Sequence, residues 1–225
     1  MPNKVFAKAG FAVCLFALLT PAQARSWDDF TPRDPALKLA GHWEWAWDGS
    51  DGLGIGLTGA TVHYVSAGPA RITITGPQEA LEQVRVGQGQ IRWCQDCRGR
   101  KGLEITVSGV ALRNVALGGA DIDMQLGRLD QDRLNLSLAG TGEISAAGRV
   151  DRLELSIAGS GNVRMGDTRV QRADIHIAGS GDVTVTPRQE ANVHVAGSGN
   201  VRMSTMPPRL NQFITGSGGV RIVGN

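Results

Sequence analysis

From Leu134 onward, apolar residues recur at every second position in short runs, and each run ends on the same small-residue tetrad. Leu134, Leu136 and Leu138 precede Ala139-Gly140-Thr141-Gly142, and Leu153, Leu155 and Ile157 precede Ala158-Gly159-Ser160-Gly161. Ala173, Ile175 and Ile177 lead into Ala178-Gly179-Ser180-Gly181, while Ala191, Val193 and Val195 lead into Ala196-Gly197-Ser198-Gly199. A fifth copy is Thr215-Gly216-Ser217-Gly218. After the later tetrads come Val163 and Met165, Val183 and Val185, Val201 and Met203, then Val220 and Ile222. A period of two is that of a strand and not of a helix. Each repeat therefore predicts strand, glycine turn, strand, with Ser137, Ser156, His176 and His194 facing water before the tetrad. Arg164, Thr184, Arg202 and Arg221 face water after it.

The tetrads begin 19, 20, 18 and 19 residues apart. A recurrent unit of that size buries its apolar face by stacking on its neighbours. Gly140, Gly142, Gly159, Gly161, Gly179, Gly181, Gly197, Gly199, Gly216 and Gly218 are structural turn residues, because a tight bend needs positive φ or a close backbone approach. The alanine before them is predicted on the inside of the bend. Pro187, Pro207 and Pro208 are predicted in connections, where no ladder hydrogen bond is lost. Two folds fit: a parallel solenoid with one repeat per coil, or an antiparallel meander with each tetrad as a four-residue hairpin loop. Periodicity alone leaves both open.

Upstream the pattern loosens. Residues 25–40, with Pro32 and Pro35, read as an entry arm. Trp43, Trp45 and Trp47 alternate on one strand, and further strands are predicted over Thr61–Val65, Ala70–Thr75, Gly89–Trp93 and Leu103–Val107. Pro77 opens a helical turn or two over Gln78–Val84. Residues 1–24 read as a signal peptide: Lys4 and Lys8, an apolar run from Phe11 to Leu19, then Ala22-Gln23-Ala24. Removing them leaves 21 basic against 21 acidic residues. A neutral mature chain gives no ground for a nucleic-acid partner. No transmembrane segment is expected in the mature chain. With 31 glycines and 5 % aromatics, the composition suits many turns and short strands.

The runs "SIAGSGNV", "HIAGSGDV" and "HVAGSGNV", with "WAWDGSDGLGIGL" and "ARITITGPQEALEQVRV" upstream, resemble the head GIN domain of putative auto-transporter adhesins, a domain of unknown function. The similarity covers roughly residues 43–223. The resemblance implies an all-β, right-handed parallel β-helix with coils of about 19 residues and a less regular N-terminal cap. In that reading residues 41–225 form one domain, 41–110 being the irregular cap portion and 111–225 the regular coils. It carries over no catalytic residue and no cofactor. The expected function is non-enzymatic: an exported protein, periplasmic or at the cell surface, whose rigid surface serves adhesion, binding or scaffolding, with an envelope protein or a glycan as partner. The alternatives are a carbohydrate-active β-helix enzyme, which needs clustered acids, and a periplasmic thiol protein.

Three groups carry candidate chemistry. Cys94 and Cys97 are the cysteines left after processing, and in an exported protein such a pair forms a local disulfide. Its competitors are a redox pair, which wants its first cysteine at a helix start, and a metal clip, which wants more ligands. His176 and His194 hold equivalent places in successive repeats, with Asp174 two residues before the first, and stacked repeats would bring them together at a surface metal site. The plain alternative is a polar column that tolerates histidine as it does serine. Trp43, Trp45 and Trp47 form either a sugar-stacking strip or a buried cover for one end of the repeats.

Overall fold

The computed structural model describes residues 30–47, 52–94, 99, 101–109 and 111–224, and the predicted leader lies outside them. In chain order its elements are β1 (Leu37–Leu39), β2 (His42–Ala46), β3 (Gly52–Val65), β4 (Arg71–Thr75), α1 (Gln78–Leu81), β5 (Val84–Gly87), β6 (Gln90–Trp93), β7 (Leu103–Ser108) and β8 (Asn114–Gly159). Then follow β9 (Asn162–Gly179), β10 (Asp182–Gly197), β11 (Asn200–Met203), β12 (Arg209–Gly216) and β13 (Gly219–Ile222). All thirteen strands belong to one mixed sheet. From β1 through β2 and β4 to β7 the pairing is antiparallel. From β7 through β3, β8, β9 and β10 to β11, β12 and β13 it is parallel throughout. The chain is thus nearly all β, on a largely parallel sheet.

The register of that parallel part follows the tetrads. Ile157 lies beside Ile177, which lies beside Val195 and then Ile214. Val163, Val183, Val201 and Val220 form a second such row. Apolar residues therefore stack on apolar residues of the same position, one repeat on the next. Val163, Val183 and Val201 are fully buried, as are Ile175 and Val193. Each such side chain contributes about 2 kcal/mol by leaving water. The antiparallel meander is excluded, because residues on the two sides of a tetrad do not pair with each other.

Element boundaries differ from the expected two strands per repeat. β9 holds the strand after one tetrad and the strand before the next as one run of 18 residues, because ladder pairing persists around the bend between them. The first tetrad, Ala139–Gly142, lies wholly inside β8. Pro187 sits inside β10 and not in a connection, at a point where the register with β9 shifts. The missing N–H is tolerated there because the ladder is already interrupted.

The tetrad alanines also differ from expectation: Ala139, Ala158 and Ala196 are exposed, whereas Gly161, Gly181 and Gly199 are buried. Alternation explains this, since the alanine directly follows an inward residue, whereas the second glycine stands two positions before the inward Val163, Val183 or Val201. The two glycines are needed for different reasons. Gly159, Gly179 and Gly197 have φ of +127°, +135° and +133°, which L side chains rarely adopt. Gly181 and Gly199 are excluded from bearing a side chain by crowding: a Cβ on Gly199 would lie 2.5 Å from the Gly181 carbonyl oxygen and 2.7 Å from Ile177 Cγ2.

A threonine ladder holds the other bend. Thr168 Oγ1 donates to the Ala146 carbonyl at 2.8 Å, and Thr186 Oγ1 donates to the Gly166 carbonyl at 2.7 Å. Thr205 Oγ1 repeats the contact on Pro187. Thr168 is fully buried, so its hydroxyl satisfies a carbonyl that the shifted register leaves without a ladder partner.

Candidate functional site

The strands before the tetrads expose parallel columns of side chains. Ser156, His176, His194 and Phe213 form one of them. The two imidazoles stack, with centroids 4.9 Å apart and planes 10° from parallel, and Phe213 continues the row at 6.3 Å from His194. Beside them Asn192 Nδ2 donates to Asp174 at 2.6 Å, and Asn211 Nδ2 donates to Asn192 at 2.9 Å. Burial, and then the neighbouring His194, hold the His176 imidazole below its ordinary value, against the opposing pull of Asp174 and Glu154.

That geometry corrects the metal site expected from His176, His194 and Asp174. Face-to-face rings send their nitrogen lone pairs along parallel lines and not to one point, and Asp174 is engaged by Asn192. Among the described residues no group of three or more His, Cys, Asp or Glu side chains is assembled to hold a metal.

The sugar-stacking strip is likewise corrected to core. Trp43, Trp45 and Trp47 are 5, 3 and 9 % exposed. Trp43 and Trp45 pack with centroids 5.9 Å apart, Trp45 Nε1 donates to the Arg33 carbonyl at 3.0 Å, and Lys38 Nζ lies 4.2 Å over the Trp43 ring. Large indoles are better covered than exposed when a strand end is available to pack on. Cys94 is disulfide-bonded and follows β6 directly, its N–H donating to the Gln83 carbonyl. Cys97 lies outside the described residues.

The feature that composition concealed is a patch of arginines at the start of the same strands. Arg149 lies beside Arg169 and Arg152 beside Arg172 in the parallel ladder. Arg133 stands six residues before its tetrad, as Arg152 and Arg172 do before theirs. Arg149 is paired with Asp151 at 2.9 Å. Arg133, Arg152, Arg169 and Arg172 are exposed and, among the described residues, reach no carboxylate. Other arginines of the repeats are paired: Arg202 with Asp182 at 3.2 Å, Arg164 with Glu143, and Arg209 with Glu190, the ladder neighbour of Arg172, at 3.5 Å. The sequence signal is Arg149-Val150-Asp151-Arg152 recurring as Arg169-Val170-Gln171-Arg172, and a whole-chain charge sum averages it away.

A shallow depression of about 640 Å³ lies over the strands after the tetrads, lined by Gln125, Glu143, Ser145, Arg164, Asp167 and Thr184 among others. Of its two carboxylates among the described residues, Glu143 is paired with Arg164, which leaves Asp167 alone. No described helix is long and apolar enough to cross a membrane.

Stacked repeats with outward columns, and with candidate chemistry absorbed into core and polar ladders, define a repeat-built β protein whose distinctive feature is surface. Residues 54–207 match the family model described as putative auto-transporter adhesin, head GIN domain, and the chain belongs to that family. The description names adhesins and no enzymatic activity, and an auto-transporter adhesin domain implies export. Among solved structures, a putative adhesin from Bacteroides fragilis matches with a TM-score of 0.66 at 18 % identity, over 81 % of this chain and 96 % of that one. A putative lipid binding protein and a putative adhesin, both from Parabacteroides distasonis, match over the same shares with TM-scores of 0.48, at 19 % and 18 % identity. No curated protein matches the chain.

Proposed function

We propose that this is an exported, non-enzymatic protein of one domain, residues 41–225, whose repeats wind as a right-handed parallel β-helix closed at one end by residues 41–110. Its rigid lateral surface serves adhesion, binding or scaffolding in the periplasm or at the cell surface, with a glycan or an envelope protein as partner and no nucleic acid. The observation that carries this reading is the parallel register from tetrad to tetrad, which fixes outward side chains in columns, about 4.8 Å from one to the next along each column. A surface so spaced can match a ligand that itself repeats. Membership in a family described as adhesins supports it, and so does the pairing of Glu143 with Arg164, which leaves the depression without a free carboxylate pair for glycoside cleavage. Cys97 is the assigned partner of Cys94, in a structural role, since Cys94 follows a strand and not a helix start.

The test is binding of the mature chain to a panel of glycans and envelope proteins. Saturable binding to at least one of them, with no turnover of it, is expected. Binding to none, or cleavage of a bound glycan, contradicts the reading.

A further inference from the structure

We propose that the patch formed by Arg133, Arg152 and Arg172, flanked by Arg149 and Arg169, is a binding site for an acidic polysaccharide, one bearing carboxylate or sulfate groups along its chain. The inference rests on the adhesive reading above and names the ligand class for it. Like charges directly opposite one another in a ladder destabilise a sheet. Here two such pairs, Arg149 beside Arg169 and Arg152 beside Arg172, occupy consecutive repeats. Elsewhere in the repeats Arg164 is paired with Glu143, Arg202 with Asp182 and Arg209 with Glu190. Arg149 is relieved by Asp151, but Arg152, Arg169 and Arg172 are exposed and, among the described residues, have no carboxylate partner, a local conflict of the kind that marks functional surface.

Guanidinium is suited to this ligand. Its planar fork grips a carboxylate or sulfate through two parallel hydrogen bonds, and it is weakly hydrated enough to release water on contact. The arginines repeat at the strand spacing of about 4.8 Å, close to the advance of an extended sugar chain per residue. Next along the same strands, two residues on from Arg152 and Arg172, run Glu154 and Asp174, with Asn192 hydrogen-bonded to Asp174. Carboxylates and amides there suit sugar hydroxyls. They also separate the arginines from His176 and His194, so no aromatic platform for stacked bases adjoins the basic patch.

The experiment is calorimetric titration of the mature chain with polygalacturonate and with heparin. The arms are wild type, a triple variant R152Q/R169Q/R172Q, and a control R164Q/R202Q/R221Q with the same change of charge on the other strands. Expected is binding by wild type that weakens as salt rises, a loss of about a hundredfold or more in the triple variant, and little change in the control. Thermal melts establish that each variant is folded, and the triple variant should melt no lower than wild type because repulsion has been removed. Equal affinity of wild type and triple variant, an equal loss in the control, or tighter binding to a DNA duplex than to either polysaccharide would overturn the proposal. Binding to a neutral glycan or an envelope protein alone would overturn it too, while leaving the adhesive reading standing.

Discussion

Gly181 and His176 show how far a single position is fixed by the repeat beneath it. At Gly181 a Cβ would meet Ile157 Cγ2 at 2.9 Å and the Gly161 carbonyl oxygen closer still. Gly181→Ala should therefore cost about 2–4 kcal/mol in urea unfolding, while Ala196→Ser, on the exposed first position of the next tetrad, should stay within about 0.5 kcal/mol. Equal effects would mean that the buried and exposed faces of the bend are misassigned. His176 tolerates change differently. Its folded-state pKa lies below the ordinary 6.5, so as pH falls through 6.5 the unfolded chain takes up the proton before the native one does. Stability is thus full above that pH and declines below it, until the folded pKa is passed. His176→Ser, the residue found at Ser156 in the repeat before, should flatten that decline in thermal melts between pH 8 and 5; an unchanged profile would place its cause elsewhere.

Among the elements, strands β8 to β10 were legible because inward positions alternate without a fault from Leu134 to Leu138, Leu153 to Ile157 and onward. The helix after Pro77 was legible too, as Gln78–Leu81. Continuity around the second bend was not. It depends on Thr168, Thr186 and Thr205, whose hydroxyls close the ladder where the register slips, and threonine is equally at home inside a strand. Thr168→Val keeps the shape and removes the donor, leaving the Ala146 carbonyl unsatisfied in a dry place. A loss of about 1–2 kcal/mol in chemical denaturation is expected, and a neutral or stabilising result would show that water already reaches that carbonyl. The tryptophans were legible as a face but not as a destination, since alternation places Trp43, Trp45 and Trp47 together without saying whether anything covers them. The histidine pair was legible as neighbours; that the rings lie parallel, and so do not converge on a metal, depends on rotamers no sequence pattern carries.

Over the whole molecule, a charge sum near zero hid an uneven distribution. Arg152, Arg169 and Arg172 cluster without a carboxylate partner among the described residues, whereas Arg164, Arg202 and Arg209 are each paired. Only the register between repeats reveals that Arg152 and Arg172 are neighbours, because they are 20 residues apart in the chain. The same register underlies the core rows, the glycine stack, the imidazole stack and the proposed polysaccharide site, so it is the claim to test first. Two double-cysteine variants do so: Ser156→Cys with His176→Cys, which are ladder partners in the parallel arrangement, and Ser156→Cys with Arg164→Cys, which would face each other across a hairpin loop of residues 158–162, the length that sets inward Ile157 opposite inward Val163. Mild oxidation followed by peptide mass mapping should give a 156–176 disulfide in high yield and no intramolecular 156–164 bond. The reverse, a 156–164 bond without 156–176, would contradict the parallel stack and everything drawn from it.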